Sequence, residues 1–85
     1  MEIRLLLEKY KNFGFSQKRI KEITQEVFLR FFIQLDEENI RLDDSEIRIQ
    51  VSGSRKVEYF LYKSKIQEIL FLEFEKEGFK IRELL

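Results

Sequence analysis

The sequence predicts an α+β fold, with helices packed on a small three-stranded mixed sheet, and three observations carry that prediction. Apolar residues recur at helical spacing over residues 16–35 and again over 55–77. Two shorter segments, 40–42 and 47–51, alternate apolar and polar residues instead, as strands with one buried face do. Gly53 and Gly78 punctuate the boundaries between these stretches. At 85 residues the chain has room for one domain, 1–85, with one modest core.

In chain order, Ile3, Leu6, Leu7 and Tyr10 fall at helical spacing and predict a short amphipathic helix over residues 2–11. Asn12-Phe13-Gly14-Phe15 breaks it, and Ser16 is placed to cap a second helix. That helix carries Ile20, Ile23, Val27, Phe28 and Phe31 on one face and runs to about Leu35, ahead of Asp36-Glu37-Glu38. Ile40 and Leu42, then Ile47, Ile49 and Val51, form the apolar faces of a hairpin whose turn is Asp43-Asp44-Ser45. Gly53-Ser54 ends the second strand and caps a helical region over 55–77. Ser64 with Gln67 matches a capping box, so this region is either two helices meeting at Tyr62-Lys63-Ser64-Lys65 or one continuous helix. Gly78 caps its end, and Phe79 and Ile81 begin a last strand, expected parallel to a neighbour through a right-handed crossover. The predicted order is α-α-β-β-α(-α)-β.

Composition narrows the function classes. There is no Cys and no His, which removes disulfides, thiolate metal sites and the usual neutral-pH general base. The five Ser residues, 16, 45, 52, 54 and 64, all fall at predicted turns or caps, and no nucleophile elbow, phosphate-binding Gly loop or zinc motif is present. A non-enzymatic role without a cofactor is the expectation. Asp36, Glu37, Glu38, Asp43 and Asp44 cluster without calcium-loop spacing and read as a solvated helix end and hairpin tip, so no metal is expected. No signal peptide or membrane-length apolar run is visible, and a cytoplasmic location is expected.

The charge is balanced overall but not along the chain. Residues 1–21 carry six basic and two acidic groups, 22–46 two and eight, and 47–85 eight and six. A neutral protein gains no global steering toward a polyanion, so any nucleic-acid contact must be local. Two helix starts supply candidates: Gly14-Phe15-Ser16-Gln17-Lys18-Arg19 and Gly53-Ser54-Arg55-Lys56 each join a Gly, a capping Ser and paired cations. Free N–H groups beside cations suit phosphate. Lys63 and Lys65 extend the second group, and Tyr59 and Tyr62 interleave with it as stacking surfaces or as half-buried packing. The plain alternative is that these cations are simply solvated.

Apolar residues also exceed what one stripe needs. Leu29, Phe32 and Ile33 lie off the expected core face of the second helix, as do Phe71, Leu72 and Phe74 in the later one. They are candidates for a protein partner or for a homodimer.

Residues 40–84 add a resemblance. A short strand and polar turn, then Glu46-Ile47-Arg48-Ile49-Gln50-Val51-Ser52, a helix with Leu61 followed by Lys65, Ile69-Leu70, and Gly78-Phe79-Lys80-Ile81-Arg82 make up the pattern. It resembles the DciA-like family of bacterial replicative-helicase loaders, although this chain has no Trp where members usually carry one. The resemblance implies a KH-like fold and a role in DNA replication, with single-stranded DNA or RNA and a replicative helicase as partners. The loop that would grip a strand in KH domains corresponds to Tyr62-Lys63-Ser64-Lys65, which contains no Gly. The functional expectation is a nucleic-acid-associated adaptor using Lys18, Arg19, Arg55, Lys56, Lys63 and Lys65. The alternative is a protein-interaction or homodimerisation module.

Overall fold

A computed structural model places four strands and two helices in the order β1 (Glu2–Leu7), α1 (Phe13–Leu29), β2 (Ile40–Asp43), β3 (Glu46–Gln50), α2 (Arg55–Lys76) and β4 (Ile81–Leu84), with a 3₁₀ turn at Glu37–Asn39. It describes residues 1–7, 13–43, 46–79 and 81–84, with the backbone alone for 7, 13–16 and 82–84. The α+β class is as the sequence predicts; the first element is not. Residues 2–7 are a strand, because Ile3 and Leu5 alternate into the core while Glu2 stays exposed. The helical spacing of Ile3, Leu6 and Leu7 competed with that alternation, and β-pairing decided between them. The rest of the expected first helix, 8–11, and the Asn12 of the expected break lie outside the described residues, as do Asp44 and Ser45 of the hairpin turn.

The sheet is four-stranded and antiparallel throughout, in the order β2-β3-β1-β4, and not a three-stranded mixed sheet. β4 points the same way as β3 but does not pair with it; β1 lies between them. Element order and strand order together are those of the split β-α-β, or ferredoxin-like, arrangement. Register aligns Ile40, Ile49 and Ile3 in one cross-strand row, and Leu42, Ile47 and Leu5 in the next. These rows meet Ile20, Ile23 and Val27 of α1 and Ile66, Leu70 and Phe74 of α2 in one apolar cluster. The backbone of Met1 continues the ladder, exchanging hydrogen bonds with Val51 at 2.8 and 2.9 Å.

α1 starts earlier and stops earlier than its periodicity predicts. It spans Phe13–Leu29, so residues 13–15 are helical and Ser16 lies inside the helix instead of capping it. Its end is a Schellman turn: the Ile33 N–H reaches the Phe28 carbonyl at 3.0 Å and the Phe32 N–H reaches Leu29 at 2.9 Å. Phe32 occupies the left-handed position with φ 63°, where Gly is usual. α2 ends in the same motif, but with Gly78 at φ 85°, and the Phe79 N–H bonded to Phe74 at 2.8 Å. Phe79 therefore closes the helix, edge-on to Phe74, and β4 begins only at Ile81.

α2 is one hydrogen-bonded helix with a kink at Tyr62 (φ −113°, ψ 15°), which falls at the predicted junction. The predicted Ser64–Gln67 box does not form. The Gln67 amide instead donates to the Tyr59 hydroxyl at 3.3 Å, tying together the two sides of the kink. Ser54 precedes α2 with helical backbone and no side-chain cap, and Gly53 at φ 66° makes the turn out of β3.

The paired Schellman turns make a test. Left-handed backbone costs a non-Gly residue about 1–2 kcal/mol, and no atom lies within 4 Å of a Cβ placed on Gly78. Gly78→Ala should therefore lower stability by about 1 kcal/mol, while Phe32→Gly should raise it by about 0.5–1 kcal/mol after Gly's own entropy cost. Urea unfolding of both variants measures this; a destabilised Phe32→Gly would show that the Phe32 ring is held by contacts that outweigh its strain.

Candidate functional site

α2 is apolar on two opposite faces. Tyr59, Ile66, Leu70 and Phe74 are buried against the sheet and α1. Val57, Phe60, Leu61, Phe71 and Leu72 are exposed, Phe60 by 61% and Leu61 by 71%. At 100° per residue these five fall within about 120° of arc, opposite the buried set. Beside them, at the end of α1, Leu29 is exposed and Phe32 is 88% exposed. Phe31 and Tyr62 join the two areas, with ring centroids 5.4 Å apart.

Of the interface residues expected from sequence, Phe71, Leu72, Leu29 and Phe32 are thus on the surface, and Phe74 and Ile33 are not. Both of the latter are fully buried, Phe74 as the seat of the α2 Schellman turn and Ile33 as the residue that closes α1 onto Phe28. Truncating a buried Phe costs about 3–5 kcal/mol, so Phe74 reports on folding and not on an interface. Sequence reasoning did not single out Val57, Phe60 and Leu61 as surface residues; their i, i+3, i+4 spacing was the available signal.

The six cations expected to meet phosphate are split. Because α1 begins at Phe13, Lys18 and Arg19 lie beyond its first turn, away from the free N–H groups. Arg19 donates through Nε to Glu77 at 2.6 Å and also meets Glu22 at 3.3 Å; these bonds raise its pKa, Glu77 contributing most. That contact puts the start of α1 at the end of α2, while Phe28 stacks on Tyr59 near the other end. Lys18 and Arg19 are therefore remote from Arg55 and Lys56. Arg55, Lys56, Lys63 and Lys65 stay together on the first half of α2, and none of them forms an ion pair among the described residues. Tyr62 beside them is partly exposed; Tyr59 is buried, and burial raises its pKa.

The outer face of the sheet holds a second feature that the sequence did not announce. Register sets Arg41, Arg48 and Arg4 side by side on three adjacent strands. Like charges directly opposite one another repel. Glu46 offsets this by pairing with Arg4 and with Arg48, the latter at 3.5 Å, and Asp43 lies 3.7 Å from Arg48. A small hollow of about 230 Å³ over this row is lined by Glu2, Glu38, Asn39, Arg41, Arg48 and Gln50, with both signs of charge. Among the described residues no group of three acidic side chains is placed to hold a metal ion, and no helix is long and apolar enough to cross a membrane. Comparison of the chain with protein-family models, curated proteins and solved structures finds no match.

Glu46 gives the sheet face a pH signature. Hydrogen bonding to Arg4 holds its carboxyl below the usual carboxylate range. A group so depressed stabilises the fold above its unfolded pKa of about 4.3 and loses that contribution as pH falls through the lower folded value. Glu46→Gln should therefore be less stable than wild type near neutrality, and the gap should close below about pH 4. Thermal unfolding across pH 3–7 measures it; a gap independent of pH would mean that Glu46 acts by packing alone.

Proposed function

We propose that this chain is a non-enzymatic protein-interaction module whose working surface is the outer face of α2, continued by Leu29 and Phe32 at the end of α1. The observation that carries this reading is the row of exposed Val57, Phe60, Leu61, Phe71 and Leu72 on a helix whose opposite face is already buried. Large exposed apolar side chains gathered on one helix face are a feature of binding sites in soluble proteins. Phe32 supports the same reading: an aromatic ring held in solvent on left-handed backbone is kept at a cost in stability.

A second reading has its own observation. Arg55, Lys56, Lys63 and Lys65 are cations without an ion pair among the described residues, beside Phe60 and Tyr62, a mixture that suits single-stranded DNA or RNA. On this reading the module is a cytoplasmic adaptor of the helicase-loader kind, and the apolar row docks the protein it serves. The KH-like order expected from sequence agrees with the observed element order only from β2 to β4, since β1 and the all-antiparallel sheet have no place in it.

Two experiments separate these readings. A photo-crosslinking residue placed at Leu61 in the expressed chain should yield protein adducts, and one placed at Gln50 on the sheet should not; equal yields would remove α2 as the working surface. Fluorescence anisotropy of single-stranded DNA and RNA should show no binding at high micromolar protein. Binding that weakens steeply with salt, and is lost when Arg55, Lys56, Lys63 and Lys65 are all replaced by Glu, would establish the adaptor reading instead.

A further inference from the structure

α2 carries opposite charge on its two halves. Residues 55–65 hold four cations and one carboxylate, a net +3; residues 66–77 hold four carboxylates and one cation, a net −3. The cations of the first half are unpaired, as shown above. In the second half Glu73 and Glu77 are already engaged by Arg30, Lys76 and Arg19. Glu68 and Glu75 form no ion pair among the described residues, and both are exposed.

Apart from Val57, whose counterpart is Glu75, the exposed apolar row has the same symmetry. Phe60 and Leu61 lie six and five residues before Ile66, and Phe71 and Leu72 lie five and six after it. Ser64 and Glu68 stand two residues to either side, on the same exposed arc. A pattern that reads alike from both ends, with charge that inverts between them, is complementary to itself when turned end for end. A two-fold interface has this requirement, since one patch must serve as both partners.

Resting on the reading that the outer face of α2 is the working surface, we infer that its occupant is a second copy of this chain, with the two α2 helices antiparallel about a two-fold axis at Ile66. Phe60 and Leu61 of one copy then cover Phe71 and Leu72 of the other. Lys65 then lies within one residue of the level of Glu68, and Lys56, opposite Lys76, within one residue of Glu75, and each contact occurs twice. A parallel arrangement would set like charges together along the whole seam. The antiparallel one gives partners to carboxylates and cations that have none among the described residues. Apolar contact holds the dimer, and the charges set its direction.

Charge exchange tests this directly. The wild type should have twice the 10.5 kDa chain mass in light scattering at micromolar concentration. The double variant Lys56→Glu/Lys65→Glu makes both halves of α2 net acidic, and Glu68→Lys/Glu75→Lys makes both net basic. Each alone should dimerise at least about tenfold more weakly, as four surface contacts turn repulsive, while keeping the wild-type circular dichroism. An equimolar mixture of the two should restore a dimer, now a heterodimer, because every contact is opposite in sign again. A monomeric wild type, or a mixture no more associated than its components, overturns the inference. A monomer that still forms Leu61 photo-adducts with other proteins would leave the interaction reading standing without self-association, whereas a monomer without adducts would remove both.

Discussion

β1 is the strand on which the rest of the fold depends, because it fills the gap that the β3-α2-β4 crossover leaves open. β3 and β4 point the same way and never touch; each pairs with β1, whose two edges are both occupied. Its apolar residues Ile3 and Leu5 extend the core rows that begin on the hairpin and join the same cluster as the helices. The bonds between Met1 and Val51 hold the ladder closed at the end where β3 turns toward α2. A short segment with two occupied edges and one buried face has its register fixed, since a slip by one residue would turn Ile3 and Leu5 outward.

With the sheet so arranged, α1 and α2 share one face and have little area to cover. α2 is the longer, at 22 residues, and commits only Tyr59, Ile66, Leu70 and Phe74 to burial. Its kink at Tyr62 lets the first half follow the end of α1, where Phe28 and Phe31 meet Tyr59 and Tyr62. Gln67 satisfies the buried Tyr59 hydroxyl across that kink, so a polar group enters the core without an unmet hydrogen bond. The remaining apolar residues of α2 then face outward because the small core has no second layer to receive them. The exposure of this face follows from the size of the sheet as much as from the helix.

The opposite face of the sheet shows how charge is handled when nothing covers it. Three Arg side chains in a row would repel, and Glu46 and Asp43 are set among them by the same register. The chain's zero net charge therefore conceals distinct local solutions. On the sheet, opposite charges meet within the chain; on α2 they are largely segregated, with cations on the first half and carboxylates on the second.

The sequence by itself determined the α+β class, the β2-β3 hairpin and the helix end at Gly78, because each rests on local spacing or on the conformational freedom of a single residue, and it left open whether 55–77 is one helix or two. It also displayed the surplus of apolar residues and the cations of the first half of α2. Tertiary structure alone decided that residues 2–7 are a strand, since Ile3, Leu5, Leu6 and Leu7 suit either period until β3 and β4 offer edges to pair with. It alone ended α1 at Leu29, where burial of Ile33 forces Phe32 into a conformation that no propensity favours. It also decided which apolar residues of α2 face water. Two opposed stripes of similar character are equivalent on an isolated helix, and only the sheet chooses between them.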